Sequence, residues 1–389
     1  MGVMFSKLTD CQPDRHPRFR GVRRGAPACH HRQMASADDA ARSIARLSAS
    51  VSDVVGFSSG VFDRLARTIR YDGAFLAAVD PDTLLFTRAF RRQMPAAASS
   101  AFISTELGRD DVNQLRQLVR QPSPVGWLDA ATHGNRTAAR RYREAMLPYG
   151  LGDELRVALM LDGACWGLLC LHRAEARAGF DAADARVLAG IGPVVAGALR
   201  RALVSEQAAG VDDADTDGPG VAVLAADGTL QSATPTAARW FAELAKLDRP
   251  YAPALPTVVL GVLAQLQAVG AGSLRGARAR VRAPSGRWLT VHAAHLDDDH
   301  GSVAVVVEPT TPGAVAPLVI AAYGLTGRES EVAWRLLAGL ARKSVAAELA
   351  ISLHTVNDHI KAIFDKTGVS SAGQLRAQIF AQQLTGPAR

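Results

Sequence analysis

Between His354 and Lys361 the chain gathers polar side chains on one expected helix: His354, Thr355, Asn357, Asp358 and Lys361. An asparagine amide offers a donor and an acceptor side by side, which fits the edge of an adenine. Lysine ammonium groups and a threonine hydroxyl suit phosphate oxygens, contacts that fix position without reading a base. Presented on one surface, such groups bind double-stranded DNA rather than perform covalent chemistry. Asp358 and the nearby Asp365 oppose that use by placing negative charge on the same face.

The elements that must carry these residues follow from local signals. Thr326 and Glu329 form a Thr-x-x-Glu capping box, so a helix is expected to start there, with Val332, Leu336 and Leu337 as its apolar stripe. Gly339 stands where a helix end takes positive φ. A second helix is expected over about Ala341 to Leu349. Ala350-Ile351-Ser352 is the tight turn, with Ser352 capping a third helix. In that helix Val356, Ile360, Ile363 and Phe364 share one face and should pack inward. His354, Asn357, Asp358, Lys361 and Asp365 take the other, and Gly368 ends the helix. A fourth helix is expected over Gln374 to Leu384. Two helices joined by a short turn, the second with a polar outer face, can lay that second helix in the major groove.

With its spacing kept without a gap from Leu325 to Val369, this segment resembles the helix-turn-helix domain of LuxR-type transcription regulators. The resemblance implies DNA contacts from Thr355, Val356, Asn357 and Lys361, with Lys343 on backbone phosphate. Two departures stand out. The family usually has Ser or Thr at 341 and Glu at 344, a second capping box; here Ala341 and Ser344 replace them. Losing a cap costs about 1 kcal/mol. From Leu318 to Arg389 there are 8 basic and 5 acidic residues, a small surplus for a DNA-binding domain.

Across 389 residues, with 48% hydrophobic residues, two or three domains have room for their own cores. The net charge of +7 resides at the two ends, and the long middle is close to neutral. Residues 1–33, rich in Pro, Arg and His, read as a disordered tail, with order beginning after Met34 and Ser36 as an N-cap; Met34 is an alternative start. Cys29-His30-His31 lacks the spaced pairs of a zinc site. Four cysteines, Cys11, Cys29, Cys165 and Cys170, show no disulfide framework, so a reducing, cytoplasmic setting is expected. No run of eighteen apolar residues predicts a membrane span.

Residues 50–205 read as a helix over Val51 to Ile69, a strand pair around the turn Asp80-Pro81-Asp82-Thr83, a helical insert, a hairpin about Asp162-Gly163, and a closing helix from Phe180 to Ala202. That order, with Val79-Asp80-Pro81 and Trp166-Gly167-Leu168-Leu169, is similar to a GAF sensor domain. The resemblance implies a ligand pocket between sheet and insert, or a dimerising role. Phe75, Trp127, Tyr142 and Tyr149 are its candidate lining, or simply core. Cys165 and Cys170 fall on opposite faces of a regular strand and read as small buried hydrophobes or, alternatively, a redox or attachment site. His172 reads as a surface residue or a haem or metal ligand.

Residues 206–218 are an acidic linker. Beyond it come two strands turned at Asp227-Gly228, two helices (Pro235 to Leu244, Val258 to Val269) and three strands. That order, with Val223 to Thr229, is similar to a PAS domain.

The expected fold is therefore multidomain: a tail (1–35), an α+β GAF-like domain (36–205), a linker (206–219), an α+β PAS-like domain (220–308), a proline-bearing linker (309–317) and an all-α four-helix helix-turn-helix domain (318–389). The expected function is sequence-specific transcriptional regulation by a homodimer on double-stranded DNA, controlled by a small-molecule signal. RNA polymerase is a further candidate partner, and no cofactor is identifiable. The rival is a sensor-interaction protein whose last domain binds a protein partner. An enzyme is not expected: no phosphate loop, Gly-x-Ser-x-Gly elbow, spaced metal motif or receiver-type acidic cluster occurs.

Overall fold

The computed structural model describes residues 37–50, 53–95, 98–108, 111–205, 218–248, 255–269, 277–298 and 300–381. The expected tail, Met34, Ser36 and the 206–217 linker lie outside them.

The first region opens with α1 (Ala37–Ser50) and α2 (Val54–Leu65), the latter capped by the Asp53 carboxylate accepting from Gly56 N–H. Strands β1 (Gly73–Val79) and β2 (Phe86–Arg92) follow, then α3 (Ala98–Leu107), α4 (Leu115–Leu118), β3 (Val125–Trp127) and α5 (Leu128–Ala131). A π-helical turn at Tyr142–Met146 leads to β4 (Leu151–Leu161), β5 (Ala164–Ala174) and the closing α6 (Ala182–Ser205). The antiparallel sheet runs β2-β1-β5-β4-β3. Short β3, sitting in the helical insert, was not legible in the sequence.

Asp162 and Gly163 both take positive φ and form the expected two-residue hairpin turn. A register shift between Ala158 and Met160 follows in the β4–β5 pair. It corrects one expectation. The bulge reverses the alternation, so Cys165 and Cys170 both join the apolar cluster under the insert instead of opposite faces. Burial pushes the Cys165 thiol up to about 11 and the Cys170 thiol up to about 12, so both stay protonated and poorly nucleophilic.

The second region comprises β6 (Gly220–Leu224), β7 (Leu230–Ala233), α7 (Pro235–Ala245), α8 (Thr257–Val269), β8 (Ala277–Arg282), β9 (Trp288–His295) and β10 (Val303–Pro309). Its antiparallel sheet runs β7-β6-β10-β9-β8. Alternating burial along β8 and β10 shows one face turned to its own core. Helix α8 packs on that sheet and also on β2 and α3 of the first region, joining the two.

The segment 309–317, expected as a linker, is largely helical: α9 spans Pro312–Ala322. Proline at the first turn sacrifices no hydrogen bond, and the apolar residues that follow find a surface to cover. Val315, Ala316, Leu318, Val319 and Ile320 are buried in a cluster that continues from α1 and α6 into the C-terminal helices. These are α10 (Gly327–Leu337), α11 (Arg342–Leu349), α12 (Leu353–Thr367) and α13 (Ala372–Ala381). Among the described residues one stretch, Ala182–Val204, is long and apolar enough to cross a membrane; in this fold it packs against α1 and β4.

Candidate nucleic-acid interface

The capping box at the start of α10 is formed: Glu329 N–H donates to Thr326 Oγ1, and Thr326 N–H donates to Glu329 Oε2 at 2.6 Å. Gly339 has φ +88 just past the helix. Glu329 is itself buried. Burial works to raise its pKa, but Lys366 Nζ at 2.6 Å and the Thr326 amide outweigh that and hold it low. Lys366 stands in the last turn of α12, so this contact locks α12 onto α10.

Helix α11 begins at Ala341 with no side-chain cap, as the replaced box implies. It ends at Ala350, a non-glycine residue at φ +52, where the chain turns into α12. Ser352 caps α12: Thr355 N–H donates to Ser352 Oγ at 3.0 Å, and the two hydroxyl oxygens are 2.8 Å apart. Gly368 closes α12 at φ +72.

On α12, His354, Asp358 and Lys361 share one face by their spacing of four and three residues. His354, Asp358 and Lys361 of α12 and Lys343 of α11 are exposed, while Thr355 and Asn357 are half-buried. Val356 is 0% exposed and belongs to the core with Ile360 and Ile363. A buried side chain cannot meet a base, so its expected contact is corrected to a packing role that sets the height of the polar face. His354 Nε2 and Asp358 Oδ2 stand 3.7 Å apart, one turn along. Both are exposed, so this pair adds little stability.

One residue was missed. Arg342 Nη1 donates to Asn357 Oδ1 at 3.1 Å, a contact between the two helices of the motif. It holds the amide oxygen and leaves the amide nitrogen free to donate. The Arg342-Lys343 pair at a helix start was the signal that could have revealed it.

The candidate ligand lining behaves differently. Phe75, Tyr142 and Tyr149 belong to the cluster under the insert, with Phe75 5.7 Å from Phe86, whereas Trp127 packs against the other core. The four therefore divide between two apolar clusters. A buried ionic network stands nearby instead. Arg141 Nη2 meets Glu154 Oε2 at 2.7 Å, and Arg156 meets Glu106 Oε2 at 2.6 Å and Glu154 Oε1 at 3.1 Å. Glu106 also accepts from the Leu115 amide, which ties α3 and α4 to the sheet. Burial opposes ionisation of Glu154, yet the two guanidinium groups hold its carboxyl down at about 2.

His172, expected at the surface, is fully buried against Phe102, with ring centroids 5.2 Å apart. Neither ring nitrogen has a hydrogen-bond partner. The strand continues past it to Ala174, and the insert covers it, so it is an interior residue. Desolvation pushes its pKa down to about 4. Among the described residues no group of three or more His, Cys, Asp or Glu could hold a metal.

Comparison with known proteins agrees with the C-terminal geometry. Residues 324–377 match the bacterial regulatory proteins, luxR family. No curated protein matches the chain. Among solved structures, 24 chains match. One is described as the crystal structure of the phage VqmA-DPO complex, with 18% identity, covering 44% of this chain and 86% of that one at a TM-score of 0.18. The C-terminal segment therefore carries a LuxR-type helix-turn-helix DNA-binding domain.

Proposed function

We propose that this chain is a sequence-specific transcriptional regulator that binds double-stranded DNA as a homodimer and answers to a signal received by its two α+β regions. The observation that carries this reading is the open polar face of α12, with Lys361, Asn357 and His354 backed by Lys343, inside the segment matching the luxR family. Asn357 reads a base edge, and Lys361 and Lys343 hold phosphates. The small basic surplus from Leu318 to Arg389 favours pairing, because two linked domains compensate for weak single-site affinity. Half-sites then lie about one DNA turn apart.

The polar face is uncovered in this arrangement, so control acts through the placing of two DNA domains relative to each other rather than by covering one. The first region serves as a GAF-like and the second as a PAS-like sensing module, in a cytoplasmic protein. RNA polymerase is the natural further partner.

A second reading, in which the domain binds a protein, draws on exposed Asp358 and Asp365. Selection from a random duplex pool with full-length protein, at two salt concentrations, decides between them. An enriched twofold-symmetric sequence with steep salt dependence is expected. No enrichment at either salt would favour the protein partner.

A further inference from the structure

We propose, resting on the DNA-binding reading above, that Arg342 and Asn357 read one base pair as a unit and that their target is guanine in the major groove. Arg342 is the first residue of α11, and Asn357 belongs to α12. Across the turn at Ala350, Arg342 Nη1 donates to Asn357 Oδ1 at 3.1 Å. A guanidinium has five N–H donors and no acceptor, so only the amide oxygen can meet it. The contact therefore fixes which end of the amide is which, and Nδ2 with its two N–H groups is the donor end.

Among the described residues neither side chain has another hydrogen-bond or ion-pair partner. Arg342 is exposed and Asn357 half-buried, so the unit stands at the surface. Asp358, next along α12, stands 3.7 Å from His354. A cation at a helix start gains nothing from the helix dipole, so Arg342 is not placed there to steady α11.

The donors set the preference. The pair offers N–H groups from two adjoining side chains, Arg342 and Asn357. In the major groove guanine presents two neighbouring acceptors, O6 and N7, whereas adenine sets its N6 amino donor beside N7. An asparagine acting alone favours adenine, because its amide oxygen accepts from N6. Here that oxygen already accepts from Arg342. It keeps a second lone pair, but the guanidinium beside it repels an amino group and attracts a carbonyl oxygen. The balance moves from adenine to guanine.

Selection from a random duplex pool with full-length wild type, Asn357→Ala and Arg342→Leu tests the unit. The position whose preference collapses in Asn357→Ala marks the base pair that is read. There the wild type should favour guanine over adenine by about tenfold or more, the scale of one bidentate base contact. In Arg342→Leu the released amide should swing the preference towards adenine by a similar factor. Neither side chain belongs to the core, and circular dichroism checks that both variants fold. Adenine favoured in the wild type, no position that responds to Asn357→Ala, or a guanine preference unmoved in Arg342→Leu would overturn the proposal. A uniform loss of affinity in Arg342→Leu, with the preference kept, would make Arg342 a phosphate contact. A wild-type site with no guanine in either half would overturn it without any variant. All these outcomes leave the DNA-binding reading standing, whereas no enriched duplex at all sinks that reading as well.

Discussion

At the residue scale, opposite outcomes follow from side chains that look alike in sequence. Val356 and Asn357 are neighbours, yet one is buried and the other stands beside Arg342 at the open face. Asn357→Ala should relax discrimination at one base pair by about 1–3 kcal/mol while leaving affinity for unrelated DNA nearly unchanged. Equal losses on all sequences would instead make Asn357 a phosphate or structural contact. The buried network makes a pH prediction. The Glu154 carboxyl is held at about 2, below its ordinary value of 4.5, so the stability it confers is present above 4.5 and fades as pH falls towards 2. His172 titrates at about 4 instead of 6.5. Between those values the unfolded chain binds the proton first, so stability falls as pH drops from 6.5 to 4. In His172→Leu the upper part of this decline should flatten and the lower part remain. Urea midpoints measured from pH 7 to pH 3 check it, and superimposable profiles would show that His172 is not the group responsible.

At the element scale, the missing cap on α11 is the weak point of the DNA-reading domain. Ala341→Ser restores an acceptor for the unpaired amides of the first turn and should stabilise α11 by about 1 kcal/mol. Hydrogen exchange of the α11 amides should slow several-fold, and unchanged exchange would mean the helix start is already satisfied. Local signals told most of the elements in advance. Thr326, Gly339, Ser352 and Gly368 mark helix ends, and the Asp162-Gly163 turn marks a hairpin, because each rests on interactions within a few residues. What stayed hidden depends on distant partners. The burial of His172 needs Phe102 across the insert, the shared face of Cys165 and Cys170 needs a bulge, and α9 needs the surface of α6 to cover. The polar face of α12, with His354, Asp358 and Lys361, was legible from periodicity; the contact of Arg342 with Asn357 was not, because it joins residues fifteen apart in the chain.

At the scale of the whole molecule, Arg280 ties three parts together. From β8 its Nη2 reaches Asp80 Oδ1 at 2.6 Å and Asp82 Oδ2 at 2.5 Å in the first region's turn, and its Nη1 donates to Ala314 O of α9 at 2.7 Å. Asp80 is buried, so Arg280→Ala leaves a carboxylate without its counter-charge and should cost about 3–5 kcal/mol. Limited proteolysis should then cut more readily around 309–317, and an unchanged cleavage rate would contradict the clamp. With α9 packed into the same core as α1 and α6, the DNA-reading domain is held against the first region rather than trailing on a free tether. On the proposed function, this held domain reads DNA through α12. The most direct test is titration of a selected duplex with full-length wild type and Lys361→Glu across a range of salt. The variant is expected to lose at least about tenfold in affinity, with a salt slope shallower by about one phosphate contact. Equal affinity and equal slope in the two proteins would contradict it and leave α12 facing a protein.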